Sequence, residues 1–271
     1  MKTAGEIAVA RDKLIELHGP WSAHKIDLGE GVYTTDNPSP IGFPDVVSLI
    51  EDFLWKPFEQ LRILDLGCLE GGHAIEFARR GCEVLGIEVR NKNLAKCLFA
   101  RDILGLSRAR FVQDDVRNLS VDKYGTFDIV ICSSIMEHLD APDSFKFMND
   151  VGRVCSGLLY LNTHYVGEEA LPAGLTVGPS ETVLFNGREY TGRPIREHNP
   201  WDSSEERESR VGSSFHNDFS FWPTYESLWQ LLVESGFHRV YHCLTHWHVA
   251  NRGAFIGLKK WHSLAPTQRP V

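Results

Sequence analysis

Asp65 and Glu88 stand 23 residues apart, each ending a short apolar run, and a glycine-rich turn follows the first. Over Arg62 to Arg90, RILDLGCLEGGHAIEFARRGCEVLGIEVR, the order reads strand, turn, helix, strand. An acid that ends the second strand of such a unit is placed to accept hydrogen bonds from ribose hydroxyls. Gly67, Gly71 and Gly72 let the backbone turn tightly and approach a ligand. The turn itself is Gly67-Cys68-Leu69-Glu70-Gly71, so Leu69 occupies the place where a dinucleotide fingerprint has its second glycine. Asp65 in the turn repels a pyrophosphate and attracts an ammonium group. A ligand built of adenosine, ribose and an amino acid suits these residues better than a dinucleotide.

A second group of chemical residues follows Phe127 to Asp140, FDIVICSSIMEHLD. His138, just after an apolar strand, carries an imidazole that titrates near neutral pH. A hydroxyl becomes a good nucleophile when a base takes its proton, and such general base catalysis contributes about 10²–10⁴-fold. Glu137 adjoins it. A different arrangement of the same residues is a divalent-metal site. It would draw on Glu137, His138, His164, His216 and Asp218, a mixed His and carboxylate set that suits Mg, Mn or Zn. His246 and His248 alternate on a strand and, with His242, have the look of a metal set. A half-exposed strand with polar tips accounts for them better.

The glycine turn resembles motif I of the class I S-adenosylmethionine-dependent methyltransferases. F-D-I-V-I-C-S…E-H-L is similar to their fourth motif. The resemblance implies S-adenosylmethionine as cofactor. Asp65, Gly67, Cys68, Leu69, Gly71 and Glu88 would then hold it. Asp115 in F-V-Q-D-D-V would accept from the adenine amino group, Val116 would cover the ring, and Ser133 would pass close by. It also implies a reaction cleft faced by Glu137 and His138. Small-RNA 2′-O-methyltransferases place a metal after an E-x-x-E-H turn, but here the first glutamate is replaced by Ser134. A narrower similarity is to relatives of the tRNA wobble-uridine carboxymethyltransferase. It rests on Trp21…Ile26-Asp27-Leu28 and on F-W-P-T-Y-E-S-L-W-Q-L-L-V-E-S-G-F from Phe221.

These residues need a scaffold, and the alternation of strands and helices supplies it. The pattern predicts strands at 61–66, 83–87, 109–113, 127–133 and 158–162, with helices at 72–80, 91–104 and 142–154. Strands alternating with helices give a doubly wound, mostly parallel, seven-stranded α/β sheet of Rossmann-like methyltransferase type. Ligands then bind at the carboxyl ends of the strands. Residues 1–60 read as an N-terminal helical extension, with helices at 3–18 and 44–59. Residues 61–164 and 223–260 read as the core. Pro223 suits the first turn of a helix over 225–235, and 240–247 with 254–258 read as an antiparallel pair. Residues 261–271 are a tail.

Residues 165–222 break the alternation. Ten of these 58 residues are Gly or Pro, and five arginines face ten acids, a net −5. Aromatics through the segment argue against disorder, so it reads as a lid or substrate platform. Trp21, His24, Tyr190, Trp201 and Trp222 are the candidate acceptor contacts.

The chain has 271 residues, 42% of them hydrophobic, and a net charge of −8. That length suits one domain with additions. The charge disfavours nucleic acid as the main partner. Six scattered cysteines without a C-x-x-C pair read as reduced thiols in a cytoplasmic, soluble protein with no membrane partner. The aromatic N-terminal helices could build a homodimer face. An acidic lid bearing arginines and aromatics suits a neutral polar acceptor. The expected activity is methylation of a hydroxyl on a sugar, oligosaccharide or glycosylated metabolite. The alternatives are a tRNA wobble-uridine-type (carboxy)methyltransferase and a non-catalytic cofactor-binding regulator.

Overall fold

A computed structural model of the chain describes residues 2–37, 43–243 and 250–259. The N-terminal helix α1 (Ala4–His18) starts at a capping box between Thr3 and Glu6, and Gly19 in a positive-φ conformation ends it. Helix α2 (Phe43–Glu51) is shorter than expected. Residues that precede a proline are pushed out of the helical region, so Lys56-Pro57 cannot continue it. Phe58–Gln60 form a single 3-10 turn instead.

The alternating region follows: β1 (Arg62–Leu66), α3 (Gly72–Arg79), β2 (Glu83–Glu88), α4 (Asn91–Leu104), β3 (Ala109–Gln113), α5 (Val121–Tyr124), β4 (Phe127–Ser133), α6 (Asp143–Val154) and β5 (Cys155–His164). Further on come β6 (Glu181–Phe185), β7 (Arg188–Arg196), α7 (Ser204–Ser209), β8 (Phe219–Pro223), α8 (Tyr225–Glu234), β9 (Arg239–Cys243) and β10 (Arg252–Leu258). One sheet has seven strands in the order β3-β2-β1-β4-β5-β10-β9. Its first five strands are parallel. β10 runs antiparallel between β5 and β9. The strand order reverses between β1 and β4, and in such sheets ligands bind outside the carboxyl ends at that point.

Side chains alternate across this sheet with a period of two. Ile63, Ile129, Ile131, Leu158 and Tyr160 pack on the face covered by α2, α3 and α4. Leu64, Leu66, Val130, Cys132, Leu159 and Leu161 pack on the other, under α6 and α8. Burial on both faces makes these strands near-continuous apolar runs.

Residues 165–222 are more ordered than a bare lid. β6, β7 and β8 form a separate three-stranded antiparallel sheet. Asn186 and Gly187, at φ 51° and 75°, make the tight turn between β6 and β7. Pro223 ends β8, and Thr224 rather than Pro223 opens α8, its side chain accepting from the Ser227 N–H. The small sheet is stitched to the turn after β4. Phe221 N–H donates to Leu139 O (2.9 Å), Trp222 Nε1 to Glu137 O (3.0 Å) and Asn217 Nδ2 to His138 O (3.0 Å). No helix among the described residues is long and apolar enough to cross a membrane.

Candidate functional site

At the carboxyl ends of β1, β2, β3 and β4 lies a cleft of about 430 Å³. Asp65, Gly67, Cys68, Leu69, Glu88, Asp115, Val116 and Ser133 all line it. Gly71 lies just behind, where it caps α3 in the left-handed region. A Cβ on Gly67, at φ 57°, would run into the end of the Ile135 side chain, so glycine there favours the tight turn. Leu69 is itself left-handed at φ 52°, a conformation costly for a leucine.

Two buried carboxylates face the same cleft. Asp65 accepts from the Ala74 N–H at the start of α3 (3.1 Å). Burial pushes its pKa up to about 7, the Ala74 bond opposes that, and the nearby Glu88 charge adds to it. Glu88 accepts from Leu69 N–H (2.9 Å) and Arg90 N–H (2.8 Å). Burial raises its pKa as well, against those bonds and the Arg90 charge. A bound cation would relieve both acids. This donor set fits an ammonium-bearing nucleoside and would repel a pyrophosphate.

Glu70, which no local sequence pattern marks, fixes the floor of this turn. It is fully buried. Its carboxylate accepts from the N–H groups of Ser22 (2.7 Å), Ala23 (3.1 Å) and His24 (2.9 Å). It also pairs with buried Lys96 at 3.0 Å. That grip brings His24 to the cleft wall, where its Nδ1 accepts from Gly72 N–H (2.9 Å). Burial pushes His24 down to about 4, which keeps the imidazole neutral and able to accept.

His138 lines the other end of the cleft. Its Nδ1 lies 3.0 Å from Glu197 Oε1, and Glu197 Oε2 accepts from Ser214 N–H (3.0 Å). Burial alone would lower the His138 pKa, but the Glu197 hydrogen bond and charge outweigh it and the net shift is upward. Glu197 moves downward for the reciprocal reason, its burial overcome by His138. Residues 211–217 form the roof. Buried Arg90 holds that roof, donating through Nη2 to Ser213 O (2.9 Å) and Arg210 O (3.2 Å), with its guanidinium over the Phe215 ring.

Several expected roles are revised. Glu137 does not line the cleft. It is buried, accepts from His164 N–H (2.9 Å) and pairs with Arg252 (3.1 Å). Arg252 also reaches Asn162 (2.6 Å), His164 Nε2 (3.0 Å) and Ser134 Oγ, so Glu137 is bound into a closed polar network. Tyr190 is core, 4.7 Å from the Phe145 ring, and Trp222 stacks on His164 at 4.2 Å. Trp21 is buried against Phe99 and Lys96. Trp201 is 79% exposed, away from the cleft. Of the five acceptor candidates, His24 alone lines it.

The five metal candidates do not converge. Asp218 pairs with Arg207 (2.6 Å), His216 sits 3.4 Å from Asp115, and His164 and Glu137 belong to the Arg252 network. Among the described residues no group of three His, Cys, Asp or Glu side chains is placed to hold a metal ion. His242 packs on Phe255, while His246 and His248 lie outside the described residues. Asp115, expected to take the adenine amino group, has both oxygens on Arg117, and this holds its pKa down against burial.

Residues 63–156 match a family model described as a methyltransferase domain. The core has a methyltransferase fold. The N-terminal domain of EvdMO1, crystallised in the presence of SAH and D-fucose, superposes with a TM-score of 0.70 at 24% identity. The match covers 93% of this chain and 97% of that one. Magnesium protoporphyrin IX methyltransferase from Synechocystis PCC 6803 with bound SAH gives 0.50 at 16% identity, over 80% and 82% of the two chains. In sequence, ubiquinone biosynthesis O-methyltransferase of Acinetobacter baumannii (strain AYE) is 34% identical over 83 residues. That stretch is 31% of this chain and 35% of the relative, so the chain spans about a third of the relative's length. The same-named protein of Paracidovorax citrulli is 29% identical over 108 residues, 40% of this chain and 42% of that protein.

Proposed function

We propose that the protein is an S-adenosylmethionine-dependent O-methyltransferase acting on a hydroxyl of a sugar, oligosaccharide or glycosylated metabolite. The observation that carries this reading is a histidine paired with a buried carboxylate at one end of a cleft whose other end holds two buried acids. When bound, the cofactor supplies an electrophilic methyl group on a sulfonium. Asp65 would meet its ammonium group and Glu88 its ribose hydroxyls. Asp115 and Val116 would border the adenine, and Gly67 would let the chain lie close.

His138 would take the proton of the acceptor hydroxyl. With Nδ1–H donated to Glu197, Nε2 keeps its lone pair for that proton. Arg90 and the 211–217 roof would exclude water while transfer occurs. The sugar half of the reading rests on the hydroxyl-activating base and the acidic 165–222 segment, whose net −5 repels phosphates. The D-fucose present in the EvdMO1 crystals makes deoxysugars the first acceptors to try.

The test is transfer of a labelled methyl group to a panel of free sugars, glycosides, phenols and tRNA. A labelled ether on a carbohydrate, reduced about 10²-fold or more by His138→Ala with cofactor affinity held, supports the reading. Labelled tRNA supports the wobble-uridine relationship instead. Undiminished turnover in His138→Ala removes the base.

A further inference from the structure

We propose that Glu197 is the positioning residue of the reaction: it fixes the tautomer and orientation of His138, so the segment inserted after β5 supplies half of the proton-accepting unit. This rests on the methyl-transfer reading of the same cleft. The geometry is that of a dyad. Glu197 Oε1 is 3.0 Å from His138 Nδ1, and the Glu197 side chain is 8% exposed. Its other oxygen is held by Ser214 N–H, and its own N–H donates to Asp218 O (2.8 Å), so the carboxylate has little freedom to turn away. His138 is held from its other side by Asn217, which donates to its carbonyl.

An imidazole has two nitrogens, and a hydrogen bond at one decides what the other can do. A carboxylate at Nδ1 requires the proton there and leaves Nε2 as the acceptor. In the transfer step the acceptor O–H bond breaks and its proton goes to Nε2. The oxygen forms its bond to the methyl carbon as the methyl–sulfur bond breaks. The positive charge that arrives on the imidazole ring is then met by the Glu197 carboxylate. The other charged or titratable groups near the ring are Glu137, 3.9 Å from Nε2, Arg252 and His164. Glu137 is already neutralised by Arg252, so its charge and that of Arg252 largely cancel at His138. Glu197 is the carboxylate with a direct bond to the ring.

Nothing in the local sequence marks Glu197. It is one of ten acids in the 165–222 segment, and it lies 59 residues from His138.

The experiment is a titration of the His138 ring by NMR in the wild-type, Glu197→Gln and Glu197→Asp proteins, in parallel with the pH dependence of kcat/KM. Glutamine keeps one acceptor oxygen, enough for Nδ1–H, but removes the charge and gives up the acceptor for Ser214 N–H. An opposite charge at this range shifts a pKa by about 1–3 units, so the His138 titration should move down by roughly that much in Glu197→Gln. The acidic limb of the rate profile should move with it, and kcat should fall roughly 10–100-fold, less than the roughly 10²–10⁴-fold that a general base itself contributes. Glu197→Asp should recover the higher titration point. If the His138 titration stays put in Glu197→Gln, Glu197 is a structural tie and the inference fails. It also fails if the titration moves and the rate profile does not. A wild-type rate in His138→Ala would remove the base and this inference with it, whereas a wild-type protein that methylates no acceptor would sink the methyl-transfer reading while the NMR titration still reports whether the pair is coupled.

Discussion

Removing Glu70 should destabilise the protein more than removing any exposed acid, and the structure sets the size of the loss. Its carboxylate serves three backbone N–H groups and the Lys96 ammonium, and neither side chain of the pair is more than 5% exposed. Breaking a buried ion pair from one side strands the other charge and costs about 3–5 kcal/mol. Glu70→Ala should fall in that range, because residues 22–24 can partly resolvate while Lys96 cannot. At roughly 2–4 °C per kcal/mol for a chain of this size, the melting temperature should drop by about 10 °C. Urea unfolding followed by circular dichroism gives the free energy directly. Lys96→Met should relieve part of the loss when added to Glu70→Gln, with a coupling of about 1 kcal/mol or more. Glu70 titrates below the ordinary glutamate range, its hydrogen bonds and Lys96 overcoming burial. Its contribution is therefore present above the unfolded pKa and is lost as pH falls through the folded one. The gap between wild type and Glu70→Gln should narrow on acidification. A loss under about 1 kcal/mol, or strict additivity in the double variant, would refute this account of the turn.

Other expectations follow from the same cleft. Asp65→Asn should raise the ligand-free melting temperature at pH 8. A carboxyl raised to about 7 by burial stabilises fully only below its unfolded pKa and loses that as pH climbs through 7, whereas the amide does not titrate. The same variant should weaken S-adenosylmethionine binding, and calorimetry showing both quantities unchanged would take Asp65 out of the site. Glu88→Ala should weaken cofactor binding by about 1.5–3 kcal/mol, the value of hydrogen bonds to a charged acceptor; unchanged affinity would exclude ribose contact. Arg90→Ala releases the carbonyls of Arg210, Ser213 and Ser214. Trypsin should then cut at Arg207 or Arg210 faster, and an unchanged cleavage rate would mean that the roof is held elsewhere.

The core was legible because its strands are buried on both faces. Ile63 to Leu66 and Ile129 to Cys132 read as apolar runs, and glycine punctuates the turns between them. The acids at strand ends were visible for the same reason. The small sheet was not. β6 is largely solvent-facing and β7 alternates buried with half-buried positions, so Glu181-Thr182-Val183-Leu184-Phe185 gives only a weak apolar pattern. Asn186-Gly187, a strong hairpin signal, was the clue available. Glu70, Glu197 and Arg252 escaped because their partners lie 26 to 118 residues away and no local pattern encodes such a pairing. In sequence, Tyr190 and Trp222 have the look of acceptor contacts because residue type alone cannot separate a stacking platform from a packed core. Trp201 has the exposure of neither.

The stitching of β8 to the turn after β4 has a consequence for anyone who would re-engineer this protein. Three consecutive carbonyls, those of Glu137, His138 and Leu139, receive their donors from one segment. The same segment brings Glu197 to the imidazole and residues 211–217 over the cleft. Under the proposed reaction, grafting a new 165–223 segment from another protein would change acceptor choice and proton handling at once. Directed evolution aimed at acceptor scope should hold Glu197, Ser214 and Asn217 constant and vary the strands around them.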